Sequence, residues 1–171
     1  MKGYIHVYTG NGKGKTTAAL GLSLRAVGTG KKVFFAQFVK GETYSEIKAI
    51  QKFLTDITIK QYGLKCFIYD KPSQADINIA RDGLKEVSEI ILSGKYDVVV
   101  LDEANIAIYY NLFTDEELIN VIKQKPEKTE IIITGRYATD KLIEFADLVT
   151  EMKEIKHYYN QGVQARKGIE S

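Results

Sequence analysis

Three short runs with almost no polar residue constrain this chain more than any other feature: 33–38 (VFFAQF), 97–101 (DVVVL) and 130–134 (EIIIT). A strand with one face in water alternates apolar and polar residues. Unbroken apolar runs of this length imply strands covered on both faces. Further strand-like segments are 4–8 (YIHVY), 57–61 and 147–152. Helix-like stretches lie between them, at 15–27, 45–54, after Ser73 and after Thr114. Ser73-Gln-Ala-Asp76 and Thr114-Asp-Glu-Glu117 are capping-box starts. Behind the first, Ile77, Ala80, Leu84, Val87 and Ile91 recur at spacings of three and four, one apolar stripe of a helix. Leu118, Val121 and Ile122 follow the second. Strands alternating with helices predict an α/β architecture, a mostly parallel sheet with helices on both faces. Ligands of such sheets bind beyond the C-terminal strand ends, here segments 9–17, 38–44, 62–72, 102–112 and 135–138.

Length and composition narrow the class. At 171 residues, 44% apolar, the chain suits one compact domain, 1–171. No apolar run approaches the roughly 18 residues of a membrane span, and no signal peptide is evident, which predicts a cytoplasmic protein. Cys66 is alone, which leaves no disulfide framework and no cysteine zinc site. Residues 1–41 hold seven basic side chains (Lys2, Lys13, Lys15, Arg25, Lys31, Lys32, Lys40) and no acidic one, against 17 basic and 22 acidic residues in the remainder. Such asymmetry fits an anion site near the N-terminus.

That site is legible at Thr9-Gly-Asn-Gly-Lys-Gly-Lys-Thr-Thr17, between the first strand and the first helix. Glycines let successive N–H groups turn inward, and the helix N-terminus adds partial positive charge. Lys15 can reach outer phosphates, and the Thr16 hydroxyl can ligate Mg²⁺. The spacing departs from the common phosphate loop, G-x-x-x-x-G-K-[ST]. Its first glycine position is Thr9, and Gly10 leaves three residues before Gly14 instead of four. Asp102-Glu103 ends a buried strand expected beside the phosphate-loop strand, where carboxylates can hold Mg²⁺. Arg136 ends the next strand as a second counter-charge. On these residues alone a nucleoside kinase and a nucleotide-dependent RecA-like binding module remain open. No interleaved aromatic-basic patch marks a nucleic-acid surface.

Taken in order, Gly10–Thr17, 37–41 (QFVKG), 101–103 (LDE), 133–136 (ITGR), 146–149 (ADLV) and 156–162 (KHYYNQG) resemble the P-loop type of ATP:corrinoid adenosyltransferase over almost the whole chain. The resemblance implies a P-loop NTPase-like (RecA-like) fold. It also implies transfer of the 5′-deoxyadenosyl group of ATP to Co(I) of cobalamin or a precursor corrinoid, with triphosphate as the other product. It implies ATP lying reversed in the loop, Mg²⁺ (or Mn²⁺), a flavoprotein reductase as electron donor and a homodimer. By motif, Gly10, Asn11, Gly12, Lys13, Gly14, Lys15, Thr16 and Thr17 would cradle phosphates, with Lys15 and Arg136 as catalytic counter-charges. Thr16 and Glu103 would hold the metal, supported by Asp102, and Arg25 and Gln37 would lie near the nucleoside. Phe67 and Tyr69 are the candidates for the lower face of the corrinoid. Longer relatives carry an N-terminal helical segment over the active site, and this chain begins at its first strand. Tyr109, Tyr110, Tyr158 and Tyr159 read as rim residues or as a lining for a flat tetrapyrrole, His157 as a surface or helix-cap residue, His6 as a packed, hydrogen-bonded core residue, and Cys66 as a small hydrophobe in a loop.

Overall fold

A computed structural model describes residues 2–41, 45–64, 68 and 71–170. Six strands form one sheet: β1 (Ile5–Thr9), β2 (Val33–Phe38), β3 (Ile57–Tyr62), β4 (Val98–Asp102), β5 (Glu130–Thr134) and β6 (Leu148–Glu151). Their order is β3-β2-β4-β5-β1-β6, and every neighbouring pair is parallel. The helices are α1 (Lys15–Val27), α2 (Ser45–Phe53), α3 (Gln74–Ser93), α4 (Ala104–Tyr109), α5 (Asp115–Ile122) and α6 (Asp140–Phe145), and Tyr158–Gln161 forms a 3-10 turn.

Alternating side chains of the inner strands feed two cores. Phe35, Val98, Val100 and Ile132 meet Ala19 and Ala26 of α1 and Ile50 of α2 on one face. On the other, Phe34, Val99, Leu101, Ile131 and Ile133 meet α3 to α6 through residues such as Leu84, Val87, Ile91, Leu118 and Leu142. Burial on both faces is what the unbroken apolar runs demanded. Both capping boxes form: Ser73 Oγ accepts from Asp76 N, and Thr114 Oγ1 accepts from Glu117 N, each reciprocated by the carboxylate.

Three strands, β1, β3 and β4, run one residue further than the sequence indicates. Thr9 stays in β1 because its carbonyl accepts from Met152 N at 2.8 Å. Asp102 stays in β4 because it lies in register with Gln37 of β2. A larger correction concerns strand order. The Asp102 strand is not beside the phosphate-loop strand; β5 lies between them, pairing Val7 with Ile133 on one side and Leu101 with Ile133 on the other. Thr134 of β5 then bridges the gap: its hydroxyl donates to Asp102 Oδ1 at 2.6 Å. The short helices α4 and α6 were not expected. β6 pairs only with β1 and its side chains are exposed, unlike the buried central strands. His6 is hydrogen-bonded as anticipated, to Glu130 at 2.6 Å, although it is only half-buried.

Candidate nucleotide and corrinoid site

Because all strands are parallel, the segments after β1, β2, β4 and β5 emerge at one end of the sheet. They surround an open cavity of about 1040 Å³. The glycine loop forms its floor. Gly10 has φ 94 and Gly14 φ 113, left-handed values that a side chain would strain. A Cβ on Gly10 would sit 2.5 Å from the Met152 carbonyl oxygen, and Gly12 N donates to that same oxygen at 2.7 Å. The chain leaving β6 therefore braces the loop from below. Thr9, in place of the usual first glycine, is a strand residue whose hydroxyl oxygen accepts from Ala138 N at 3.3 Å.

Helix α1 starts differently from α3 and α5. No side chain caps it, and its first turn carries no acid. Its N-terminal N–H groups are thus available to an anion at the positive end of the helix dipole. Lys15 is buried, and its Nζ donates to the loop carbonyls of Gly10 at 2.8 Å and Gly12 at 2.7 Å. Burial, then the nearby Arg136 guanidinium, holds its ammonium below the usual lysine range.

Beneath the cavity Asp102 is fully buried and accepts from four donors. Oδ1 takes Thr16 Oγ1 at 2.8 Å and Thr134 Oγ1 at 2.6 Å; Oδ2 takes Gln37 Nε2 at 3.0 Å and Lys40 Nζ at 3.4 Å. Gln37 Oε1 accepts from Gln61 Nε2 at 2.9 Å, so the amide is oriented. Glu103, next in the chain, has φ 59, a left-handed conformation that costs a non-glycine residue of the order of 1–3 kcal/mol. Its backbone N–H donates to Thr134 Oγ1, and its carboxylate faces Lys40 Nζ at 3.5 Å. Burial raises the Glu103 carboxyl above its ordinary value, against the opposing pull of Lys40. Burial alone would lower Lys40, but the Asp102 and Glu103 carboxylates outweigh it and hold the ammonium above its usual range.

The oxygen donors fit a hard divalent cation that also takes phosphate oxygens: the Thr16 hydroxyl and the Glu103 carboxylate both line the cavity. Lys40, 3.4 and 3.5 Å from the two carboxylates, already marks that spot as one for positive charge. Asp102 is saturated by its four donors, which makes it an anchor for Thr16 more than a direct ligand. Among the described residues no group of three or more His, Cys, Asp or Glu side chains could hold a metal by itself.

Of the residues singled out in the sequence, Asn11 to Thr17, Glu103 and Arg136 line the cavity, while Gly10 shapes the loop behind it. Asn105 steadies the Arg136 segment by donating from Nδ2 to Gly135 O at 2.9 Å. Gln37 is fully buried, donates to Asp102 and does not line the cavity. Arg25 is in the last turn of α1, about 15 Å along the axis from the loop, and does not line the cavity. Phe67, Tyr69 and Cys66 lie outside the described residues.

Several neighbours were not singled out. Lys40 was visible as one of the basic residues of 1–41 and inside 37–41, with nothing local to pair it with Asp102. Tyr137, φ 61, stacks on Tyr109 with ring centroids 4.4 Å apart, and Tyr110 meets Tyr109 edge-on at 5.4 Å. These rings form one wall of the cavity. Another part of the lining comes from His157 and residues 168–170; His157 caps the 3-10 turn by accepting from Tyr159 N at 3.0 Å.

Comparison with known proteins agrees with this geometry. Residues 1–171 match the family model "ATP:corrinoid adenosyltransferase BtuR/CobO/CobP". A corrinoid adenosyltransferase of Sinorhizobium is 38% identical over 99% of this chain and 80% of its own length. Those of Escherichia coli K12 and Salmonella typhimurium are each 34% identical over 99% of this chain and 86% of their own length. Among solved structures, the flagellar accessory protein FlaH of Methanocaldococcus jannaschii superposes with TM-score 0.61 over 88% of this chain and 71% of that one; at 15% identity it supports the RecA-like fold alone. With a glycine-rich loop opening α1, a buried Asp102 followed by a cavity-lining Glu103 and this likeness along its whole length, the chain belongs to the ATP:corrinoid adenosyltransferase family.

Proposed function

We propose that this chain, working as a single nucleotide-binding domain, moves the 5′-deoxyadenosyl group of ATP onto the Co(I) centre of a corrinoid. The cobalt lone pair attacks C5′, the C5′–O5′ bond breaks, and triphosphate leaves with the bonding pair. Co(I) is itself the nucleophile, so the protein needs no serine, cysteine or general base at the reacting carbon. Its task is to align the attack and to neutralise the leaving polyanion.

In this reading the backbone N–H groups of loop 10–17 and of the start of α1 cradle the triphosphate, with the Lys15 and Arg136 side chains as counter-charges. Lys15 has to leave the Gly10 and Gly12 carbonyls to reach phosphate, a short swing within the loop it already touches. Thr16 and Glu103 would hold Mg²⁺, which when bound supplies further charge neutralisation at the triphosphate. Asp102 fixes the Thr16 hydroxyl, and Gln37 and Thr134 fix Asp102. The Tyr109–Tyr137 stack offers a flat apolar surface to the macrocycle. Phe67 and Tyr69 remain candidates for its lower face, and Arg25 for a nucleoside contact, on the family resemblance alone. That resemblance likewise supports a homodimer, a flavoprotein reductase as electron donor and a cytoplasmic setting. Among the described residues no helix is long and apolar enough to cross a membrane.

One observation carries the reading. The short-spaced glycine loop opens into a cavity of about 1040 Å³, well beyond what a triphosphate alone requires. Anaerobic incubation with reduced cobalamin, ATP and Mg²⁺ tests it. The expected products are adenosylcobalamin, seen by its absorbance, and triphosphate. ADP formed with a nucleoside acceptor, and no adenosylcobalamin, would identify a kinase instead.

A further inference from the structure

Lys13 and Lys15 flank Gly14 in the phosphate loop, yet their side chains diverge. Lys15 turns inward to the loop carbonyls, whereas Lys13 Nζ reaches the C-terminal segment. It donates to Glu170 Oε1 at 3.1 Å, to the Ile169 carbonyl at 3.1 Å and to Tyr158 Oη at 3.4 Å. An ammonium has three N–H donors; all three are committed to residues 158–170. Glu170 is held in turn from the other side. Arg166 grips both carboxylate oxygens, Nε to Oε2 at 3.2 Å and Nη2 to Oε1 at 3.1 Å, the Tyr158 hydroxyl donates to Oε1, and Arg166 lies 5.2 Å from the Tyr158 ring centroid. These contacts hold the Glu170 carboxyl far below its ordinary range, Arg166 first and Tyr158 next.

We infer that the Lys13 side chain is a positioning residue, the anchor of a C-terminal strap that forms one edge of the cavity, and not a ligand of the triphosphate. This rests on reading the loop as a polyphosphate cradle, and it changes the role of one lysine within it. Lys13 contributes its backbone N–H to the loop; its ammonium fastens residues 158–170, so that Gly168, Ile169 and Glu170 stand at the cavity edge. Arg166 makes the arrangement compatible with an anionic ligand. With Glu170 neutralised by one cation, the three-residue cluster retains one net positive charge, as Lys13 alone would. The strap therefore closes over the loop without turning its potential negative.

Two measurements on the full chain decide the matter, using Lys13→Met, Glu170→Gln and the double variant. In hydrogen–deuterium exchange, each single variant is expected to speed exchange of peptides covering 158–170 by about tenfold, the order expected when a charge-assisted hydrogen bond is lost. The double variant should do no worse than either single one. MgATP affinity by calorimetry is expected to stay within about threefold in Lys13→Met and in Glu170→Gln, while Lys15→Ala loses tenfold or more. A phosphate-ligand role predicts the opposite: Lys13→Met weakens MgATP tenfold or more, and Glu170→Gln leaves it unchanged or tightens it. That result overturns the assignment, as do exchange rates that Lys13→Met leaves unaltered. If exchange is coupled as expected but Lys15→Ala also binds MgATP normally, the cradle fails and the strap stands.

Discussion

The polar knot beneath the cavity and the ring wall beside it are built on opposite plans. Below the loop, Asp102 gathers Thr16, Thr134, Gln37 and Lys40 in a fully buried knot whose parts come from α1, β5, β2 and the segment after β2. At the rim, Tyr109 and Tyr137 are 56% and 49% exposed and rest mainly on one another. Buried polar groups are costly unless every partner is present, so the knot permits little variation. The exposed rings are under no such demand. On the reading proposed above, the knot would support the triphosphate and its counter-ion, and the rim would meet the corrinoid.

The sharpest way to break this contrast is Asp102→Ala. It removes the carboxylate that the Gln37 amide and two hydroxyls donate to and one of the two carboxylates that Lys40 faces, and should cost about 3–5 kcal/mol in urea unfolding; a loss under 1 kcal/mol would dissolve the knot as a structural unit. Next comes Lys15→Ala, expected to lower the adenosyl-transfer rate at least about 100-fold through lost stabilisation of the leaving group. A near-normal rate would remove Lys15 from that role. Tyr137→Gly relieves the left-handed backbone at φ 61 while deleting the stack. Stability should therefore change by under about 1 kcal/mol, while the corrinoid KM rises several-fold and the ATP KM does not; equal rises in both would place the ring on the nucleotide side. The smallest effect is a pH trend. Because burial raises the Glu103 carboxyl in the folded protein, the fold binds that proton more tightly than the unfolded chain does. Its contribution is present at low pH and lost as pH climbs through the raised value. Glu103→Gln should flatten that segment of the stability–pH curve, and an unchanged slope would locate the titration elsewhere.

How much of this was legible in the sequence depended on range. Helix α1 runs from Lys15 to Val27 as read, because a glycine loop opens it and Gly28 closes it. Both capping boxes were readable because three residues suffice to define one. Helix α4 was missed because it has six residues and begins at a left-handed Glu103 with no side-chain cap. Helix α6 is equally short, though Thr139 does cap it. β5 could not be placed between β1 and β4 from local pattern, since all three are similar apolar runs and only pairing distinguishes their order. Gln37 matched a family segment, but its burial beneath Asp102 arises from a register 65 residues apart. Tyr137 carried no local signal, and the phosphate motif gave no hint of where the Lys13 side chain goes. One owes its role to a ring 28 residues earlier and the other to a carboxylate 157 residues later.

The brace under the glycine loop has a consequence for when the protein becomes competent. Gly12 is tied to the carbonyl of Met152, and Gly10 is packed against that same oxygen. A ribosome delivers the loop among the first residues it makes, but the atom that shapes it arrives some 140 residues later. Nascent chains stalled before position 152 should therefore lack a finished nucleotide grip, however early α1 coils.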